Sequence, residues 1–228
     1  MVIAGFVKNS LVDFPGCISS VLFLPGCNFN CFYCHNRQLL QDNYENIDTQ
    51  TIFDFLQKRK GMIDGVVISG GEPTLHEDLL TFIKQIKNIG YKVKLDTNGS
   101  SPDIIKQILQ EEICDYYAVD YKAPKDKYKD ICGKNANADD TLKTISVLIK
   151  SGVDFEVRTT VFPHLTKEDL MNMATELPLL PRYVLNRYKK PALYMPQDKT
   201  LIEHHPYTQK ELTKLAESIR AIQPNVTT

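Results

Sequence analysis

Residues 65–96 read GVVISGGEPTLHEDLLTFIKQIKNIGYKVKLD, from Gly65 to Asp96. The stretch divides into a short apolar, β-branched run (Gly65–Ser69), a turn at Gly70-Gly71-Glu72-Pro73, an amphipathic stretch (Leu75–Ile89) and a second short run (Lys92–Asp96). That is one strand–helix–strand unit. Strands joined through a helix are parallel, because parallel neighbours cannot be connected by a tight hairpin. On either side of this unit, further strands are predicted at Ser20–Leu24, Tyr116–Asp120, Phe155–Val161 and Tyr183–Arg187. Helices are predicted at Thr49–Arg59, Pro102–Gln110, Asp139–Lys150, Thr166–Leu177 and Thr208–Ile222. Within the second of these, Ile104, Ile105, Ile108 and Leu109 form the stripe of a buried helix face.

Six such units at about 30 residues each occupy roughly 180 residues, and a closed eight would need more chain than the 228 residues supply. The expected fold is therefore α/β, a partial (β/α)6 TIM-like barrel in a single domain over residues 1–228. Ligand-bearing groups in such sheets collect at the carboxyl ends of the strands. Lys plus Arg number 27 against 28 for Asp plus Glu, so no basic field invites nucleic acid or an anionic membrane. No apolar run approaches the roughly 18 residues of a membrane span, and the start, MVIAGFVKNSLVDFPG, lacks a secretory pattern. A cytoplasmic protein is expected.

Three of the six cysteines, Cys27, Cys31 and Cys34, fall within eight residues in CxxxCxxC spacing directly after the first predicted strand. Cys17, Cys114 and Cys132 are scattered and read as core or surface thiols. Three thiolates on one loop can hold three irons of a four-iron cluster and leave the fourth iron open to a ligand. The competing readings are zinc with His35 as a fourth ligand, for which the second knuckle of a zinc site is missing, and buried thiols without metal.

Gly70-Gly71-Glu72-Pro73 ends the second predicted strand. Its glycines let backbone approach a ligand and its carboxylate can hold an ammonium group, although the same residues would also make a plain strand-to-helix turn. Leu95-Asp96-Thr97-Asn98-Gly99 and Val119-Asp120-Tyr121-Lys122 end the next two strands with turn formers or ligand groups. Arg158, on the fifth strand, is a buried guanidinium that needs an anion. Lys122, Lys125, Lys127, Lys129 and Lys134 make a basic stretch, either a solvated loop or a docking surface. His204-His205 has no third metal ligand nearby in sequence.

The cysteine spacing, with Tyr33 before the last cysteine, resembles the radical S-adenosylmethionine superfamily. Ser10-Leu11-Val12-Asp13-Phe14-Pro15-Gly16, Gly26-Cys27-Asn28-Phe29 and Tyr33-Cys34-His35-Asn36 narrow the likeness to glycyl radical enzyme activases, most of all those of anaerobic ribonucleoside-triphosphate reductase. It is best over residues 17–161, and 186–206 departs from the pattern.

The resemblance implies a 4Fe-4S cluster on Cys27, Cys31 and Cys34 and S-adenosylmethionine held by Tyr33, Asn36, Gly70, Gly71, Glu72, Thr97, Asp120, Lys122 and Arg158. It also implies a substrate-side role for Asp13 and a monovalent cation held by Asp96, Thr97 and Asp120. The implied activity is reductive cleavage of S-adenosylmethionine, with an electron from flavodoxin or ferredoxin, and removal of hydrogen from a glycine Cα in a partner, an anaerobic ribonucleotide reductase. Two alternatives stand beside it: a radical enzyme acting on a small molecule, of the carboxy-deazaguanine synthase type, and a non-catalytic iron–sulfur binding protein.

Overall fold

Capping side chains open four of the helices described below, at Asp48, Asn137, Thr166 and Thr208. The computed structural model describes residues 1–41 and 44–228. Along them run β1 (Gly5–Ser10), β2 (Ser19–Leu24), α1 (Thr49–Lys58), β3 (Gly65–Gly70), α2 (Leu79–Ile89), β4 (Lys92–Thr97), α3 (Pro102–Gln110) and β5 (Tyr116–Asp120). There follow α4 (Tyr128–Cys132), α5 (Ala138–Ser151), β6 (Phe155–Val161), α6 (Lys167–Glu176), β7 (Tyr183–Arg187), α7 (Lys199–Ile202), α8 (Gln209–Ile219) and β8 (Val226–Thr227). The strands are ordered in the sheet as in the sequence. β2, β3 and β4 pair in parallel, as do β6, β7 and β8, while β1 runs antiparallel to β2.

All six predicted strands form, most to within a residue of the expected bounds. Three features differ from expectation. β1 and β8 extend the strand set at either end; β1 has one strand neighbour and exposed positions, and β8 is two residues long, so neither carries a strong apolar signal. The predicted helix Leu75–Ile89 is interrupted: Pro73–Leu75 form a 3-10 turn capped by the Glu72 side chain, His76 is extended, and α2 starts at Leu79. The short helices α4 and α7 lie where only loop was expected, since four or five residues are too few to show a helical period.

The chain divides into two compact units. The first comprises Met1–Cys27, Gln38–Thr97 and Ser101–Ala118. In it α2 packs on β4 and α1, and Ile83, Ile86, Val66, Ile68, Val93 and Leu95 are fully buried. Each such side chain contributes about 1.5–3 kcal/mol through burial. The register sets Val21 beside Val67 and Val67 beside Lys94, and Phe14 packs on the two valines.

The second unit comprises Asn28–Arg37, Asn98–Ser100 and Val119–Thr228. There α8 packs on α6, β7 and β8. A buried amide joins them: Gln223 Nε2 donates to Ala174 O (3.1 Å) and Pro178 O (3.0 Å), and its Oε1 accepts from Leu180 N (3.2 Å). α6 and α8 both open on capping boxes, Thr166 with Asp169 and Thr208 with Glu211. β5 begins in the first unit, where Asp115 N donates to Val93 O at 2.8 Å, and ends in the second, where Tyr121 N donates to Arg158 O at 2.9 Å. No helix among the described residues is long and apolar enough to cross a membrane.

Candidate active site

Backbone hydrogen bonds join the carboxyl ends of β2 and β3. Gly71 N donates to Leu24 O and Glu72 N to Gly26 O, both at 2.8 Å. A Cβ on Gly71 would fall 1.8 Å from Gly26 O, and one on Gly70 would fall 2.3 Å from Leu24 N and O. Gly70 also has φ +122°, open to glycine and strained for any other residue. The Gly-Gly pair is thus what allows β3 to lie against the segment leading into Cys27. The same segment donates a hydrogen bond from Gly26 N to Leu39 O at 2.9 Å, and His76 Nε2 meets Pro25 O at 2.9 Å.

Glu72 is fully buried. Its Oε1 accepts from Thr74 N (3.1 Å), Thr74 Oγ1 (2.6 Å) and Thr97 Oγ1 (2.7 Å). Three donors aimed at one carboxylate oxygen hold the group in place and suit it to a cationic partner such as an ammonium. Thr97, from the end of β4, therefore belongs with Gly70, Gly71 and Glu72. Its neighbour Asp96 accepts instead from Lys94 Nζ (2.6 Å) and Ser69 Oγ (3.2 Å). Asp13 sits in the β1–β2 turn, where its carboxylate accepts from Ser10 Oγ and Leu11 and Val12 project into solvent.

In the second unit the cysteine loop is tied down by side chains whose role no spacing announced. Buried Arg37 donates from Nη2 to Cys31 O (2.7 Å) and from Nη1 to Asn30 Oδ1 (3.0 Å), and Asn30 N donates to Cys132 O (2.7 Å). Cys34 N closes a turn onto Cys31 O at 3.2 Å. Asn28, Asn98 and Ser100 form a polar chain, Asn98 Nδ2 to Asn28 Oδ1 (2.9 Å) and Asn28 Nδ2 to Ser100 Oγ (2.8 Å). α5 holds it, Thr141 Oγ1 donating to Asn98 O and Thr144 Oγ1 to Gly99 O.

Cys31 is buried with Cys132 beside it. A hydrogen bond from Cys132 draws the Cys31 thiol below its usual range against the opposing effect of burial, whereas burial and the Cys31 charge raise Cys34. The backbone of Asn36 meets Cys34. Tyr33 stacks on Phe162 with ring centroids 4.9 Å apart, and its buried hydroxyl has no hydrogen-bond partner among the described residues.

Asp120, at the end of β5, accepts from Lys122 Nζ and Arg158 Nε, each at 3.0 Å. Burial raises its pKa, but the two cations outweigh burial and hold the carboxyl at about 2. Burial works against the Lys122 charge, yet Asp120, Cys31, Tyr33 and Cys132 together raise its pKa well above the usual lysine range. One carboxylate between two cations leaves a net positive charge, suited to a carboxylate ligand. The anion that the Arg158 guanidinium requires is supplied here by Asp120. Of the five lysines in the basic stretch, Lys122, Lys125 and Lys127 are paired with Asp120, Asp139 and Asp169. His204 is stacked on His164, ring centroids 4.3 Å apart.

The family model described as the radical SAM superfamily matches residues 21–177. The chain belongs to the radical SAM superfamily. Over 94% of its length it is 33% identical to 91% of a Methanocaldococcus jannaschii protein provisionally named a glycyl-radical enzyme activating enzyme. Over 79% of its length it is 32% identical to 82% of the pyruvate formate-lyase-activating enzyme of Clostridium pasteurianum.

Among solved structures, Streptococcus suis SuiB bound to S-adenosylmethionine superposes with a TM-score of 0.67 at 16% identity, over 91% of this chain and 51% of that one. That likeness shows the fold, the expected α/β partial-barrel type. This radical SAM chain is an enzyme whose superfamily works with a 4Fe-4S cluster and S-adenosylmethionine, which removes the non-catalytic reading. The residues fit those groups: a loop with three cysteines, one of its thiols depressed, and beside the last cysteine a buried tyrosine hydroxyl with no hydrogen-bond partner among the described residues.

Proposed function

We propose that this radical SAM enzyme is a glycyl radical enzyme activase whose partner is an anaerobic ribonucleotide reductase. Residues 1–228 act as one catalytic domain in the cytoplasm, with flavodoxin or ferredoxin as electron donor. The observation that carries the activase reading is the likeness to two activating enzymes over most of each chain, while the choice of partner rests on the resemblance carried by Ser10–Gly16, Gly26–Phe29 and Tyr33–Asn36. The side-chain arrangement supports it.

Cys27, Cys31 and Cys34 would hold the 4Fe-4S cluster. Glu72, oriented by Thr74 and Thr97, would receive the amino group of S-adenosylmethionine, and Lys122 with Arg158 its carboxylate. Tyr33 and Asn36 flank Cys34 and would line the cofactor; Asp13 would face the peptide of the partner. Bound together, cluster and cofactor supply one-electron cleavage chemistry, and the protein places them and excludes water. Glycine is the fitting target because no side chain crowds its Cα.

The test is anaerobic: load the cluster, reduce it, add S-adenosylmethionine, and assay 5′-deoxyadenosine and methionine with and without candidate glycyl radical enzymes. Cleavage with a glycyl radical signal on anaerobic ribonucleotide reductase is expected. Cleavage without a radical on any protein would shift the reading to a small-molecule substrate.

A further inference from the structure

Lys94 stands two residues before Asp96 on β4, and its Nζ donates to Asp96 Oδ1 at 2.6 Å. The lysine side chain is 1% exposed and that of Asp96 12%. The register sets Lys94 beside Val67, on the face that Val67 shares with Val21 and Phe14. An ammonium taken out of water among such neighbours is tolerated only if an anion receives it. Asp96 is that anion, and Ser69 Oγ donates to its other oxygen at 3.2 Å. The adjacent residue, Thr97, serves Glu72. The first unit thus sets two carboxylates, Glu72 and Asp96, at neighbouring strand ends, and builds a fixed positive charge onto the second.

We infer that Lys94 is a positioning residue, the built-in counter-ion of Asp96, and that its ammonium stands where a sodium or potassium ion would otherwise be drawn. The chain then needs no monovalent cation at this point of its site. Lys94 and a dissolved cation compete for the same carboxylate. A tethered ammonium is present at a high effective concentration, and a dissolved monovalent ion must displace it and leave it buried without a partner. This inference concerns Lys94, Asp96 and salt alone, so it stands or falls separately from the proposed activity.

The test is thermal unfolding of the full-length protein, handled anaerobically, in sodium, potassium or choline chloride at one ionic strength of about 0.15 M. Wild-type Tm is expected to agree within about 1 °C across the three salts. Lys94→Met, which keeps the stem and removes the charge, is expected to lose about 5 °C or more in choline. It should regain about half of that loss in sodium or potassium, and adding Asp96→Asn should abolish the salt response, which a merely structural lysine would not produce. A wild-type Tm that rises by about 3 °C or more from choline to sodium or potassium would overturn the inference, as would a Lys94→Met protein indifferent to the cation. If Lys94→Met cannot be purified in any salt, Lys94→Gln is measured against the same criteria.

Discussion

Gly71 has no room for a side chain. Its Cβ position is occupied by Gly26 O, a backbone atom that cannot turn aside as a side chain can. Gly71→Ala is therefore expected to displace the segment leading into Cys27 and to lower both cluster iron content and Tm, the latter by about 5 °C or more, read by iron assay and thermal unfolding. Glu72→Gln keeps the shape and the capping oxygen but removes the charge. Folding should be retained while S-adenosylmethionine affinity falls about tenfold or more, measured by equilibrium binding; unchanged affinity would remove Glu72 from the site.

Asp120 yields a pH dependence. Its pKa in the folded chain, about 2, lies below the unfolded value of about 3.9. Its contribution is therefore fully present above about pH 4 and is lost as pH falls through about 2. Asp120→Asn should lower stability near neutrality by about 2 kcal/mol, with the gap to wild type narrowing below about pH 4 in acid titrations of denaturant unfolding. A gap that does not change with pH would mean that the charge of Asp120 contributes nothing.

At the scale of elements, caps and short helices carry more than their length suggests. α6 starts on Thr166 and Asp169, and Asp169 also takes the ammonium of Lys127 at 2.6 Å, so one buried carboxylate serves both a helix end and the β5–α5 connection. Thr166→Ala is expected to cost about 1 kcal/mol, or roughly 2–4 °C in Tm. Asp169→Asn should cost more, because it also leaves the Lys127 ammonium without its anion.

α4 is five residues long, yet it delivers Cys132 O to Asn30 N and the Cys132 thiol to Cys31. Cys114 differs from both. Burial pushes its thiol up to about 12, and its Sγ lies 3.4 Å from Val93 O, so alkylation by iodoacetamide at pH 8 should spare Cys114 until the protein unfolds, while partly exposed Cys17 reacts in the native state. Mass spectrometry of labelled peptides decides the order.

At the scale of the whole molecule, the proposed activase activity predicts that replacing the target glycine of a glycyl radical partner by alanine abolishes the radical signal and leaves only slow, uncoupled formation of 5′-deoxyadenosine, measured side by side by spin resonance and chromatography. Much of what leads to that experiment was legible in one dimension. The six strands were readable because each is a short apolar run closed by a turn, and the cysteine loop and Gly-Gly-Glu stood out as candidates because they are contiguous residues at fixed spacing. β1, β8, α4 and α7 were not readable: an edge strand, a two-residue strand and single-turn helices leave no periodic pattern, and their stability comes from neighbours distant in sequence.

The same division runs through the site. The amino-acid sequence by itself determined the strand–helix alternation and the kinds of group placed at the strand ends, since backbone propensity and ligand type are local properties. Which of those groups meet was decided by the tertiary structure alone. The pairing of Thr97 with Glu72, of Asp120 with Lys122 and Arg158, of Arg37 with the cysteine loop and of Lys94 with Asp96 depends on strand register and on how burial balances each charge, and both arise only when the chain is packed.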